Sequence, residues 1–240
     1  MVDPLAGCCH LGILMTAGAE NRVLASIVSE GFGALLPPLE TVSLASGEIL
    51  ESSGLAIDYV FFPRSCVASV MAGTGDYRLE VGMIGLDGMT GSAIILGANT
   101  SPHECLVRVP GEAVRIATTG LKHALDASPG LRSLLLTYFR AFLRQPAETA
   151  LAAGRSTIAQ RLARLVLMLQ DRLGGSDVYL THEHLASMLG VRRPGVTVAL
   201  HTLEGAGTIR NRRGSIKILD RTGLETAAGL AYRSPDWLKA

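Results

Sequence analysis

Long uncharged apolar runs are missing from this chain. Hydrophobic residues make up 48% of its 240 positions, yet the longest stretches free of charge, Leu5 to Ala19 and Met89 to His103, are short and broken by polar residues, His, Gly or Pro. No membrane span follows. Asp3 stands where a secretory signal would carry Lys or Arg, so no export signal is read and the cytoplasm is the default compartment. None of the four cysteines, Cys8, Cys9, Cys66 and Cys105, forms a CxxC pair or a zinc-like spacing. Cys8 and Cys9 are adjacent and cannot easily face one metal; with His10 they leave open a redox or iron-sulfur role, or reduced thiols in a tail and in strands. The N-terminal half has only His10, His103 and His123, without the closely spaced pair of a facial metal site. No catalytic residue, metal or cofactor is read from the chain.

An excess of one charge is also lacking, since the formal net charge is +1. The halves differ, however. Residues 151 to 240 hold 13 Lys and Arg against 7 Asp and Glu, and residues 1 to 150 hold 9 against 14. A basic C-terminal part joined to an acidic N-terminal part fits a DNA-contacting module carried by a sensing or dimerising one.

What is present is a helix, a glycine turn and a basic helix between Leu180 and Leu203. Thr181 can cap the first helix, and Leu185, Met188 and Leu189 make one apolar stripe. Gly190 suits the left-handed residue that ends a helix. Pro194, having no amide hydrogen, fixes the start of the second helix near Arg192 or Arg193. From there Val196, Ala199, Leu200 and Leu203 form the buried side, leaving Pro194, Thr197, Val198 and His201 opposite, with Arg193 leading. This is the pattern of a helix-turn-helix, whose second helix presents its first side chains to base edges in the major groove. Arg193 is the candidate base reader; Arg192, Thr197, Arg212 and Arg213 are candidate phosphate contacts, and His201 lies near the groove. Thr208 to Asn211 and Ser215 to Leu219 read as two strands of a wing around Arg212-Arg213-Gly214. His182 and His184, two apart on a helix, point in different directions and read as solvent-exposed side chains near the DNA.

From about Leu35 to Ile116 the chain yields short β-rich runs separated by glycine, such as Ile57 to Phe62, Ser65 to Met71, Tyr77 to Val81 and Cys105 to Val109. Runs this short suggest an antiparallel barrel or roll, although strict alternation is poor. Ser128-Pro129 then opens a helix carrying Leu131, Leu134, Leu135, Tyr138 and Phe142, with Phe139 near the same stripe. That stripe must be covered, by the chain's own barrel or by the same helix of a second chain; the dimer choice fits half-sites related by two-fold symmetry. Pro146 should kink or interrupt this helix. Thr157 with Gln160 resembles a capping box opening a helix from Ile158 to Leu173, with Leu162, Leu165, Val166 and Leu169 on its core side. Thr222 with Glu225 does the same for a last helix ending near Tyr232.

With these parts in this order, residues 30 to 230 resemble the Crp/Fnr family of bacterial transcription regulators. Gln160-Arg-Leu-Ala-Arg164 and the helix-turn-helix carry the likeness, and Val60-Phe-Phe-Pro63, Glu80-Val-Gly-Met-Ile-Gly-Leu-Asp-Gly-Met89 and Met188 to Thr197 point to one branch of it. The resemblance implies an α+β chain: a tail or helix at 1–25, a double-stranded β-helix at 26–127 resembling the jelly roll of cyclic nucleotide-binding domains, a dimerisation helix at 128–153, and a winged helix-turn-helix at 154–240. It implies a homodimer on a palindromic site, with double-stranded DNA, a second copy and RNA polymerase as partners. Nucleotide-binding members hold the ribose with a Gly-Glu pair and the cyclic phosphate with Arg followed by Ser or Thr. Here Gly88-Met-Thr-Gly91 and Ser101-Pro-His-Glu-Cys105 stand instead, with no arginine between Gly85 and Val107, so cyclic AMP is not expected as the ligand. Members reading guanine-rich half-sites carry Arg, Glu and a second Arg on the recognition helix; Arg193 matches the first, and Pro194 and Val198 replace the others. Cys8-Cys9 does not reproduce the iron-sulfur pattern. A metal-dependent enzyme and a small-molecule receptor on the β-roll are the alternative readings.

Overall fold

The computed structural model describes residues 21–75, 77–175 and 177–233; Cys8, Cys9 and His10 lie outside them. Helix α1 (Arg22–Ser29) precedes seven strands, β1 (Glu40–Leu44), β2 (Ile49–Glu51), β3 (Tyr59–Pro63), β4 (Val67–Ala72), β5 (Leu79–Ile84), β6 (Glu104–Val109) and β7 (Gly111–Ala117), with α2 (Ser92–Ile95) between β5 and β6. The strands form two antiparallel sheets, ordered β1-β7-β3 and β2-β6-β4-β5. Leu44, Phe61, Cys66, Val107 and Ala113 close the space shared by both sheets.

The weak alternation has a physical reason. On β3, Phe61 faces the other sheet while Val60 and Phe62 face α1 and the helices after the roll, so four consecutive residues of this strand are buried. A strand covered on both faces cannot alternate. Asn21 pins α1 in place: Oδ1 caps it by accepting from the Val23 and Leu24 amides, and Nδ2 donates to the Pro63 and Gly88 carbonyls at 2.9 and 2.6 Å.

After α3 (Thr118–Ala127), Ser128 caps α4 (Pro129–Phe142) by accepting from the Leu131 amide at 3.2 Å. The helix breaks at Leu143, and α5 (Arg144–Arg155) continues from there. Pro146 explains the place of the break. Its ring collides with the carbonyl of Phe142, four residues back, and it has no N–H to give that oxygen.

The stripe on α4 turns inward. Leu131, Leu135 and Tyr138 are buried in the core of their own chain against α1, α2, β3 and β7, with Leu134 and Phe142 partly buried beside them. For Leu131, Leu135 and Tyr138 the expectation of a dimer seam is corrected here, because their own chain supplies the cover, whereas Leu134 and Phe142 keep part of their surface open. The large apolar side chains that α4, α5 and the break between them leave exposed are Leu136, Leu143 and Leu151.

Helix α6 (Ile158–Leu173) has the reciprocal capping box of Thr157 and Gln160 and ends on left-handed Gly174. Its apolar side joins α7 (His182–Leu189), α8 (Arg193–Gly205) and a sheet of β8 (Asp177–Val178), β9 (Ile209–Arg212) and β10 (Ser215–Ile218) in the order β8-β10-β9. The last helix, α9 (Arg221–Ala228), is capped by Asp220, which accepts from the Gly223 amide at 3.0 Å, and not by Thr222.

The Glu80–Met89 run is where the two halves of the chain lock together. Arg172 of α6 reaches down to it, pairing with Asp87 at 3.2 Å and donating Nε to the Met83 carbonyl at 3.2 Å. Both side chains of the pair are almost wholly buried. The glycines of the run are notches for incoming side chains: a Cβ on Gly82 would stand 2.5 Å from the Phe142 ring, on Gly85 2.5 Å from Arg172, and on Gly88 2.8 Å from the Tyr138 hydroxyl. Removing one partner of a buried ion pair strands the other charge. Arg172→Ala is therefore expected to destabilise the chain by about 3–5 kcal/mol, measured by urea denaturation; an unchanged midpoint would show that the pair does not hold the halves together.

Candidate nucleic-acid interface

The helix-turn-helix is built from its punctuation. Thr181 caps α7 by accepting from the His184 amide at 3.1 Å. Gly190 then adopts φ +60°, and its amide and that of Val191 return to the Ser187 and Ala186 carbonyls. Arg192 is the N-cap residue of α8, with Pro194 in the first turn. Val196, Ala199, Leu200 and Leu203 are buried against α6 and α7.

On the outer side Arg192, Arg193, Pro194 and His201 are exposed, and Val198 is 66% exposed. Arg193, Val198 and His201 thus lie along one free face of α8, the arginine at its N-terminal end. Thr197 stands differently. It is half-buried, and its hydroxyl lies 3.3 Å from both His182 Nδ1 and the Arg193 carbonyl. His182 and His184 are both half-buried, a correction to their expected exposure. His182 faces α8, whereas His184 has its pKa lowered by burial and then by the nearby Arg108.

In the wing, β9 and β10 pair antiparallel around Gly214, with φ +77°, and Arg212 and Arg213 are exposed. Two further cations share that surface. Arg210 and Lys217 are exposed and directly cross-strand from each other. Like charges in register oppose folding, so their natural complement is an anion outside the chain. The signal for them was the alternation of β9 and β10, with Ile209, Ile216 and Ile218 inward.

The module is seated on the β-roll. Arg108 of β6 donates to the Ser187 hydroxyl at 3.3 Å, and a Cβ on Gly190 would stand 3.1 Å from Leu79, while within the module Arg161 of α6 donates to the Leu189 carbonyl. α7 therefore touches β5 through its own turn.

Inside the roll, the donors of the segments at 88–91 and 101–105 are already engaged. The buried Glu51 accepts the Gly91 amide at 2.6 Å with one carboxylate oxygen and the Ser101 hydroxyl at 2.6 Å with the other. The chain's own anion occupies these donors. Burial pushes the Cys66 thiol up to about 11 and the Cys105 thiol also well upward, which disfavours the reactive thiolate. Among the described residues no group of three or more His, Cys, Asp and Glu could hold a metal, and no helix is long and apolar enough to cross a membrane.

Residues 160–227 match the Crp-like helix-turn-helix domain. No curated protein matches the chain in sequence. Solved structures share its fold at low identity. FixK2 from Bradyrhizobium japonicum is 16% identical, covering 80% of this chain and 98% of its own, with a TM-score of 0.68. A transcriptional regulator of the CRP family from Thermus thermophilus, TTHB099, is 16% identical over 78% of this chain and 96% of its own, at 0.64. A CooA mutant from Carboxydothermus hydrogenoformans is 14% identical over 90% and 99%, at 0.62.

Proposed function

We infer that this Crp/Fnr-type DNA-binding transcriptional regulator works as a homodimer on a palindromic site, with α8 in the major groove and the wing on the flanking backbone. The observation that carries the reading is the set of exposed cations, Arg192 and Arg193 at the start of α8 and Arg210, Arg212, Arg213 and Lys217 on the wing, all within the segment that matches the Crp-like domain. Arg193 reads a base; Arg192 and the wing cations hold phosphates and set register; RNA polymerase is the machinery on which a bound dimer acts. Thr197, tied to His182, serves to fix α8 against α7 before it serves any phosphate.

The second copy is expected on the exposed side of α4 and α5. Leu136, Leu143 and Leu151 are 39, 51 and 60% exposed, spaced by seven and eight residues with Ala147 between them. All three are large apolar side chains left open to solvent on two successive helices and the break between them, a surface that a second copy would cover. Two recognition helices related by a two-fold axis would then meet half-sites one helical turn apart.

Cyclic AMP is not the effector on this reading, because Glu51 holds the donors a phosphate would need and no arginine joins them. Calorimetry with micromolar cyclic AMP is expected to give no saturable heat; measurable binding would refute it.

Selection of bound duplexes from a random pool by the purified chain is expected to return a two-fold symmetric site. Arg193→Ala should cost about 1–3 kcal/mol and relax one base position, whereas Arg213→Ala should weaken all sequences alike and lower the salt slope by about one unit. Equal affinity for every duplex would overturn sequence reading, and an unchanged preference in Arg193→Ala would remove that residue from the base-reading role. In light scattering, the double variant Leu143→Glu with Leu151→Glu should move from the mass of two chains to that of one. A persisting dimer would place the interface elsewhere.

A further inference from the structure

Where β5, the break between α4 and α5, and α6 meet, packing leaves a cavity of about 60 Å³. That is room for about four to six water-sized bodies. The Glu51 carboxylate is not among its lining groups.

Two charged groups on its wall are left incomplete. Arg164, midway along α6, is 8% exposed, and its Nη2 has no hydrogen-bond partner. Glu148 and Glu80 attract this guanidinium only through space, while burial pulls its pKa down. Asp87 gives Oδ2 to Arg172 at 3.2 Å, but its Oδ1 is buried and unpartnered. Of the other lining charges, Arg172 is matched by Asp87, Arg144 is answered by Glu148 at 3.6 Å, and Arg233 is exposed to solvent. Folded proteins rarely leave a buried cationic donor and a buried anionic acceptor both unfilled. Lining one cavity, they ask for one molecule with the opposite pair of features.

We propose that this cavity binds a small oxyanion that keeps a hydrogen-bond donor, of the class of hydrogen phosphate or an α-hydroxy or α-amino acid of similar size. Its anionic oxygens accept from Arg164 Nη2, the charge-assisted bond that a guanidinium makes best. Its O–H or N–H donates to Asp87 Oδ1. The bound molecule touches the segment after β5 through Asp87 and the first helix of the DNA-binding module through Arg164, so it stabilises the seated arrangement by the free energy of its binding.

Thermal melting of the full chain at constant ionic strength tests this, with inorganic phosphate, lactate, glycine and sulfate as probes and calorimetry for the affinity. Sulfate has the charge of hydrogen phosphate but no donor at neutral pH. Phosphate, and at least one of lactate and glycine, should raise the melting temperature saturably, and sulfate should not. Arg164→Gln should abolish the response. Ala141→Leu, which narrows the same cavity without changing a charge, is the second variant: it should melt like the parent in chloride and lose the phosphate response. No saturable response to any probe, an equal response to sulfate, or a full response in either variant overturns the proposal. None of these readouts uses DNA.

Discussion

The buried pair of Arg172 and Asp87 is the constraint around which the two halves of the molecule are arranged. A guanidinium can be buried so deeply only when its charge is matched and its N–H groups are used, and here Asp87, the Met83 carbonyl and the Met168 carbonyl share that work. The backbone must come close enough for this to happen. Gly82, Gly85 and Gly88 allow it by removing the side chains that would meet Phe142, Arg172 and Tyr138. Helices α4 and α6 thereby lie against one ten-residue run of the β-roll, and α7 is carried onto β5 through Gly190 and Leu79. The positions of α8 and the wing follow from that anchoring.

Much of this was legible where backbone chemistry is local. The start of α6 could be read to the residue because the Thr157 and Gln160 side chains each accept from the other's own amide. The start of α8 was legible for the same kind of reason, since Pro194 tolerates only the first turn. Where the outcome depended on distant partners, the sequence was ambiguous. The stripe of Leu131, Leu135 and Tyr138 announces a covered face without naming the cover, and the roll took it. Thr222 and Asp220 are both good caps two residues apart, and the carboxylate prevailed. Thr208 and Asp220 are joined through the Thr208 carbonyl, a tertiary contact that local spacing does not reveal.

The candidate interface shows the complementary pattern. Arg193 and the wing arginines were legible as charge on a recognisable frame, but Arg210 and Lys217 become meaningful only in register, when two strands set them opposite each other. Thr197 and His182 are fifteen residues apart in sequence, and only the angle between α7 and α8 brings them together. A helix face read from periodicity gives the residues that can point outward; their neighbours decide which of them are free.

Glu51 also bears on what a single substitution can do to this roll. An arginine introduced near Ser101 would meet a carboxylate already in place and be neutralised by it, so gaining a cation alone creates no seat for a phosphate. Deleting the carboxylate alone leaves an amide and a hydroxyl with no countercharge. Either order of change passes through a form that holds neither partner well, so a roll closed by its own acid does not gain a seat for a phosphate by any one substitution.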